Sequence, residues 1–215
     1  MIQFRVESHG NINCNKELVS QLLLNSEVRE KLSIPSCPDG QEAPSVEIVQ
    51  LRCSVTSMNF FQHFVDNDLV SEDGNLRGCM DEDIDGITIQ DKLRKFLADP
   101  NSNLAPSTMP DSEKEEFLFH ILRLLVVGGS MCQTEYQIVE YKEAAKSMYK
   151  DFVNIRRTHD GDAKVFSTVF QIDPEGRNLG MFPLESMHNK FYTVVNEGAN
   201  NPTVTFLYKP FAPFW

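Results

Sequence analysis

The sequence has no long apolar run, no paired-cysteine motif and little positive charge, and each shortage excludes a class of protein. Its longest apolar stretch, FLFHILRLLVV, is too short to cross a bilayer and carries His120 and Arg123. The opening MIQFRVESHG lacks the basic and apolar regions of a secretory signal, so the sequence predicts a soluble, intracellular chain. The five cysteines (Cys14, Cys37, Cys53, Cys79 and Cys132) are odd in number, widely spaced and without a CxxC pair. That fits free thiols in a reducing compartment better than a disulfide frame or a zinc site. Signatures of the GxxxxGKS/T, GxGxxG, HExxH and GxSxG kinds are missing. Lys and Arg number 20 against 31 Asp and Glu, a net charge of −11. Such a surface repels DNA, RNA and anionic membranes, so neither nucleic acid nor membrane is expected as a main partner.

What remains is an ordinary globular composition, 41% hydrophobic and 24% charged over 215 residues, enough for one good core or two small ones. IQFRV alternates as a strand does. NKELVSQLLLNSEVREKL predicts a helix from about Asn15 to Leu32, with Asn15 as its N-cap. On that helix Leu18 and Leu22 share a face, as do Leu24, Val28 and Leu32. The prolines and Asp-Gly of SIPSCPDGQEAPS predict a loop, VEIVQLRCSV a strand with a phase slip near Val49, and TSMNFFQHFVDN a short capped helix. EDGNLRGCMDEDIDG reads as turns, and TIQDKLRKFLAD as a helix ending before Pro100. DPNSNLAPSTMPDS, with three prolines, is the best place for a flexible segment. SEKE offers a capping box, Ser112 with Glu115, for the apolar helix EEFLFHILRLLVV, which Gly128–Gly129 would stop. TEYQIVEYKEAAKSMYKDF follows as another helix. Beyond about Asp151 the period becomes two. HDGD joins FVNIRRT to AKVFSTVFQI and GANNP joins KFYTVVNE to TVTFLYKP, two hairpins. The reading is α+β: a helical N-terminal two thirds packed with a C-terminal antiparallel β-meander over about 151–215. It is taken as a single domain, 1–215, with a possible sub-boundary near 99–112.

Four stretches bear on chemistry. DEDIDGITIQDK places Asp81, Asp83, Asp85 and Gly86 where a helix–loop–helix calcium loop has three ligands and its glycine. The twelfth position, which should carry a bidentate glutamate, is Lys92, and no second copy exists. A calcium-binding regulator through Asp81–Lys92 is therefore the weakest alternative, and an acidic turn capping the next helix is favoured. GGSMC sets Cys132 after a glycine pair near a helix start, where a thiol can become a nucleophile. The five histidines form no partner signature, so a cysteine-dependent enzyme using Cys132 is the runner-up to a buried structural cysteine. Glu116, His120 and Arg123 recur at i, i+4 and i+7, as an acid–base cluster or as the wet face of an amphipathic helix. The last stretch, FLYKPFAPFW, gathers Phe206, Tyr208, Phe211, Phe214 and Trp215. These aromatics either dock into a partner or fold over the chain's own sheet, the second being favoured.

The strings GNINCNKELVSQLLLNSEVREKL, SVTSMNFFQHFVD, GNLRGCMDEDIDGITIQDKLRKFLADPNSNL, EEFLFHILRLLVVGGSMCQTE and MYKDFVNIR run in order from Gly10 to Arg156. Together they resemble the cilia- and flagella-associated protein 300 family. The resemblance implies a non-enzymatic role in assembling or delivering outer and inner axonemal dynein arms. It implies dynein preassembly factors and the intraflagellar transport machinery as partners, and a place in the cytoplasm and in the motile cilium. It implies no catalytic residue, cofactor or metal. Partner contact is expected at the aromatic end (Phe206, Tyr208, Phe211, Phe214, Trp215) or at the acidic segment (Asp81, Asp83, Asp85).

Overall fold

A computed structural model describes residues 2–5, 16–34, 46–84, 87–99, 109–127, 135–174, 181–182, 189–196 and 202–210. In chain order the elements are β1 (Ile2–Arg5), α1 (Lys16–Leu24), α2 (Ser26–Leu32) and β2 (Val46–Leu51). A 3-10 turn (Met58–Phe61) then runs into α3 (Gln62–Asp66), followed by β3 (Gly78–Ile84), β4 (Ile87–Asp91) and α4 (Lys92–Ala98). Next come α5 (Asp111–Lys114), α6 (Phe117–Val126) and α7 (Ile138–Phe152). The strands β5 (Ile155–Arg157), β6 (Ala163–Val165), β7 (Ser167–Pro174), β8 (Lys190–Asn196) and β9 (Thr203–Lys209) complete the described chain. The fold class is α+β, with the helices ahead of Phe152 and only strands after it among the described residues.

These elements form two compact units. The first combines the chain up to Leu51 with 152–154 and the residues from Phe166 to the end of β9. Its sheet has the order β1-β9-β8-β7-β2, antiparallel throughout. The meander β7–β8–β9 is the C-terminal sheet expected from the period-two pattern, and N-terminal strands extend it on both sides. The GANNP hairpin pairs Lys190 through Asn196 with Lys209 through Thr203. One face of this sheet presents Ile48, Phe170, Ile172, Phe191, Val195, Val204 and Phe206. Leu18, Val19, Leu23, Val28 and Leu32 of the two first helices pack on it, with Ile34 just past α2.

Those helices are two rather than one. Asn25 takes an extended backbone (φ −70°, ψ 124°), and its Oδ1 accepts from the amides of Glu27 at 2.9 Å and Val28 at 3.3 Å. An asparagine that satisfies two orphan amides starts a new helix rather than continuing the old one. The expected Leu24–Val28–Leu32 face is broken there: Leu24 is 64% exposed while Val28 and Leu32 are buried. Asn15, the expected cap, lies outside the described residues. α2 ends on Ser33 in the left-handed region (φ 55°), and the Ile34 amide bonds back to the Arg29 carbonyl.

The second unit spans Arg52–Asp151 and the small β5–β6 hairpin, where Gly161 supplies the positive φ (+88°) that the HDGD turn needs. Its core is aromatic. Phe60, Phe61, Phe64, Phe96 and Phe119 meet edge to face with centroids 5.5–6.4 Å apart, the arrangement that ring quadrupoles favour. Around this chain α6 buries Phe117, Leu118, Ile121, Leu122 and Val126, and α7 adds Tyr141, Ala145 and Tyr149.

The capping box is replaced by a break. Ser112 sits inside the short α5, and Glu116 takes an extended backbone (φ −68°, ψ 136°) ahead of α6. Residue 52 pairs with this break: its amide donates to the Glu115 carbonyl at 3.2 Å, and its carbonyl accepts from the Phe117 amide at 2.8 Å. Gly128, Gly129 and the proline-rich stretch 100–108 lie outside the described residues. Among the described residues no helix is long and apolar enough to cross a membrane.

Candidate interaction surfaces

The acidic segment is a hairpin, not a turn and not a loop between helices. β3 and β4 pair antiparallel, with Glu82 opposite Ile89, Asp83 opposite Thr88 and Ile84 opposite Ile87. Asp85 and Gly86, which join them, lie outside the described residues. A calcium loop of the helix–loop–helix kind needs a helix leading into it and a loop that wraps the ion; here β3 leads in, and the loop's own positions pair as strands before α4 begins at Lys92. Among the described residues no group of three His, Cys, Asp or Glu is placed to hold a metal ion. Asp81, Glu82 and Asp83 are all exposed, and Met80 beside them is 89% exposed.

The hairpin is fixed at its base. The expected single helix TIQDKLRKFLAD is strand up to Asp91 and helix from Lys92, and Asp91 makes the joint. Its carboxylate accepts from the Arg94 amide at 2.7 Å and pairs with the Arg94 guanidinium. Asp91 and Arg94 are both buried, and Arg94 also donates to the Tyr141 hydroxyl at 2.9 Å and the Glu135 carbonyl at 3.2 Å. Buried charge survives only when paired and hydrogen-bonded in this way. At the surface Asp68 takes Lys92 at 2.7 Å and Arg77 at 3.0 Å, and Glu82 pairs with Lys95 of α4. Both cations hold the Asp68 carboxyl below its ordinary value, Lys92 first and Arg77 second.

The expected stripe Glu116–His120–Arg123 begins off the helix, with Glu116 on an extended residue ahead of α6. Glu116 is buried and turns to residues upstream, accepting from the Ser54 amide at 2.9 Å and hydroxyl at 2.5 Å, with Arg52 Nε at 3.4 Å. Arg123 donates to the Ala98 carbonyl at 3.0 Å. His63, away from this stripe, lies 3.0 Å from Glu113. Beside the Glu116 knot lies Cys53, its sulfur 3.4 Å from the Tyr149 hydroxyl. Burial pushes this thiol up to about 11, the opposite of nucleophile activation. Cys132, the residue on which the enzyme reading rested, lies outside the described residues.

Of the C-terminal aromatics, Phe206 is fully buried in the core of the first unit, 5.9 Å from the Phe191 ring. Tyr208 is half-buried. It stacks on Phe182 at 5.3 Å, meets Phe191 edge-on, and donates its hydroxyl to the Met181 carbonyl at 2.7 Å. Both side chains are engaged by the chain's own sheet. Phe211, Phe214 and Trp215 lie outside the described residues.

One concave feature of the second unit was not legible in the sequence. A groove of about 450 Å³ opens between the 3-10 turn with α3 and the start of α7. Phe61 and Val70 line it, with Met58, Val65 and Ile138 around them and Lys142 at one side. Its walls lie some seventy positions apart in the chain, so no local spacing announces it.

A model of the cilia- and flagella-associated protein 300 family matches residues 2–209. A Chlamydomonas reinhardtii protein of that name is 25% identical over 211 residues, covering 93% of this chain and 81% of its own length. One from Paramecium tetraurelia is 27% identical over 187 residues, 86% of this chain and 72% of its own. No solved structure matches the chain. The family takes its name from cilia and flagella and not from a reaction. Its match runs through β1, both units and β9, and the chain belongs to the cilia- and flagella-associated protein 300 family.

Proposed function

We propose that this chain is a non-enzymatic adaptor for axonemal dynein arms. It acts in their preassembly or in their delivery by intraflagellar transport, and so is needed for ciliary motility. Its partners are the dynein preassembly factors, the outer and inner arm complexes and the transport machinery, met in the cytoplasm and at the axoneme. The observation that carries the reading is family membership across almost the whole chain, in a family associated with cilia and flagella.

The chemistry of the surface supports binding over catalysis. Glu116 and Asp91, the buried carboxylates among the described residues, are both consumed by structural partners. Cys53 is held as a neutral thiol. Exposed carboxylates on a hairpin anchored through Asp91 suit a basic partner surface, since such charge steers encounter. Asp81 and Asp83, together with Asp85, form this proposed contact, and Phe211, Phe214 and Trp215 beyond β9 form a second.

The test is affinity capture of the full chain from ciliating cells with mass spectrometry, beside an Asp81→Lys/Asp83→Lys variant. Axonemal dynein chains and assembly factors should be captured by the unaltered chain and depleted with the variant. An eluate without any dynein, assembly factor or transport protein overturns the adaptor reading.

A further inference from the structure

We propose that the groove beside α7 is a docking site for a short segment of another protein, one carrying a large apolar side chain next to an aspartate or glutamate. The inference rests on the reading of this chain as a binding protein, but not on dynein being its partner.

The groove has the size of a real binding site: about 450 Å³, against roughly 300–1,000 Å³ for typical pockets. Phe61 and Val70 are buried beneath it, while Val65, Ile138 and Met58 are only half-buried, so apolar surface faces water there. Filling it with a side chain such as leucine or phenylalanine removes that surface from water, which favours binding. The floor is rigid, because Phe61 is held edge-on by Phe60 and Phe64. An apolar anchor therefore meets a preformed wall and orders little on arrival.

Charge selects the neighbour of that anchor. Lys142 lines the groove, and its ammonium lies 5.8 Å from the centroid of the Phe61 ring. Several other cations of this unit hold carboxylates: Arg52 with Glu116, Arg77 and Lys92 with Asp68, Lys95 with Glu82, Lys146 with Glu143. The acid on α3 closest in sequence to the groove, Asp66, accepts from Gln62 at 3.0 Å. Lys142 thus brings positive charge to a cleft that mixes apolar walls with the amides of Asn59 and Gln62, on a chain whose net charge is −11. A carboxylate of the incoming segment gives it an ion pair that none of the described residues supplies, in a site partly shielded from water, where such a pair counts for more than at an open surface. An apolar segment with a lysine there meets repulsion instead, which gives specificity.

The probe is a displayed library of random dodecapeptides panned on the full-length chain, with the selected peptides then titrated by fluorescence anisotropy. Selected peptides should share a Leu, Ile, Met or Phe close to an Asp or Glu. Their affinity should fall about tenfold or more on Lys142→Glu, and equally when the peptide acid becomes lysine. Pairing Lys142→Glu with the lysine peptide should restore most of the loss. Val65→Gln, which alters the apolar wall alone, should weaken both pairings alike. Lys142 is half-buried at the surface, so its variant is expected to fold, and a thermal melt checks this. No acidic–apolar consensus, or no recovery in the swapped pairing, overturns the proposal. Failure to capture dynein from cells with recovery of the swapped pair would overturn the cargo reading and leave the groove standing.

Discussion

Replacing Asp91 by alanine should uncouple the hairpin from α4, and the structure sets the size of the effect. The substitution removes the carboxylate that caps α4 through the Arg94 amide and that neutralises the Arg94 guanidinium. Losing a cap costs about 1 kcal/mol. Breaking a buried ion pair by removing one partner costs about 3–5 kcal/mol, because a charge is left buried. The two do not add fully, since one carboxylate serves both and Arg94 keeps Tyr141 and the Glu135 carbonyl. A net loss of about 3–4 kcal/mol follows. Two compact units need not melt together, so the assay is hydrogen exchange read on peptides covering α4 and β4. Amides there should exchange two to three orders of magnitude faster, at about tenfold per 1.4 kcal/mol. Asp91→Asn keeps a capping oxygen but loses the charge, and should fall between. Asp111→Ala, removing a carboxylate that is 92% exposed beside Lys114, should change exchange less than threefold. Asp91→Ala behaving like Asp111→Ala would refute the view that this joint holds the hairpin in place.

Two further outcomes follow from the same contacts. Phe206→Ala empties a fully buried site against Phe191 and should cost about 3–5 kcal/mol of first-unit stability, whereas Tyr208→Phe, losing the hydrogen bond to Met181, should cost about 0.5–1.5 kcal/mol by denaturant unfolding; equal losses would contradict the inward placement of Phe206. Burial lifts the Cys53 thiol to about 11, above the unfolded value of 9.0. The folded state therefore holds its proton longer than the unfolded one, and stability falls as pH rises through that window. Cys53→Ala should flatten the decline, and at pH 8 native Cys53 should react with iodoacetamide far more slowly than the same cysteine in the unfolded chain.

Much of the architecture was legible because its signals are local. The C-terminal hairpins follow from period-two alternation around HDGD and GANNP, although AKVFSTVFQI divides at Phe166 into β6 and β7 of different sheets, and α7 follows from a long run with few breakers. The failures have specific causes. Asn25 sits inside an apolar period that runs from Leu18 to Leu32, yet its side chain reaches two amides and restarts the helix. Ser112 and Glu115 fit a capping box by spacing, but the adjacent backbone is taken by Arg52, a partner more than sixty residues upstream that no local pattern contains. The acidic segment held a competing signal. Asp85-Gly86 between Ile84 and Ile87 is the composition of a two-residue hairpin connection, while the alternating aspartates share the spacing of a calcium loop. Asp81 and Asp83 as exposed acids were visible. The groove was not, because Phe61 and Val65 meet Ile138 and Lys142 only in the folded unit.

The most direct measurement is electron microscopy of axonemes from ciliated cells that lack this protein, with outer and inner dynein arms scored on each doublet. The adaptor account predicts intact doublets with arms lost from most of them, and recovery when the unaltered chain is returned. Doublets carrying a normal complement of both arms would contradict it.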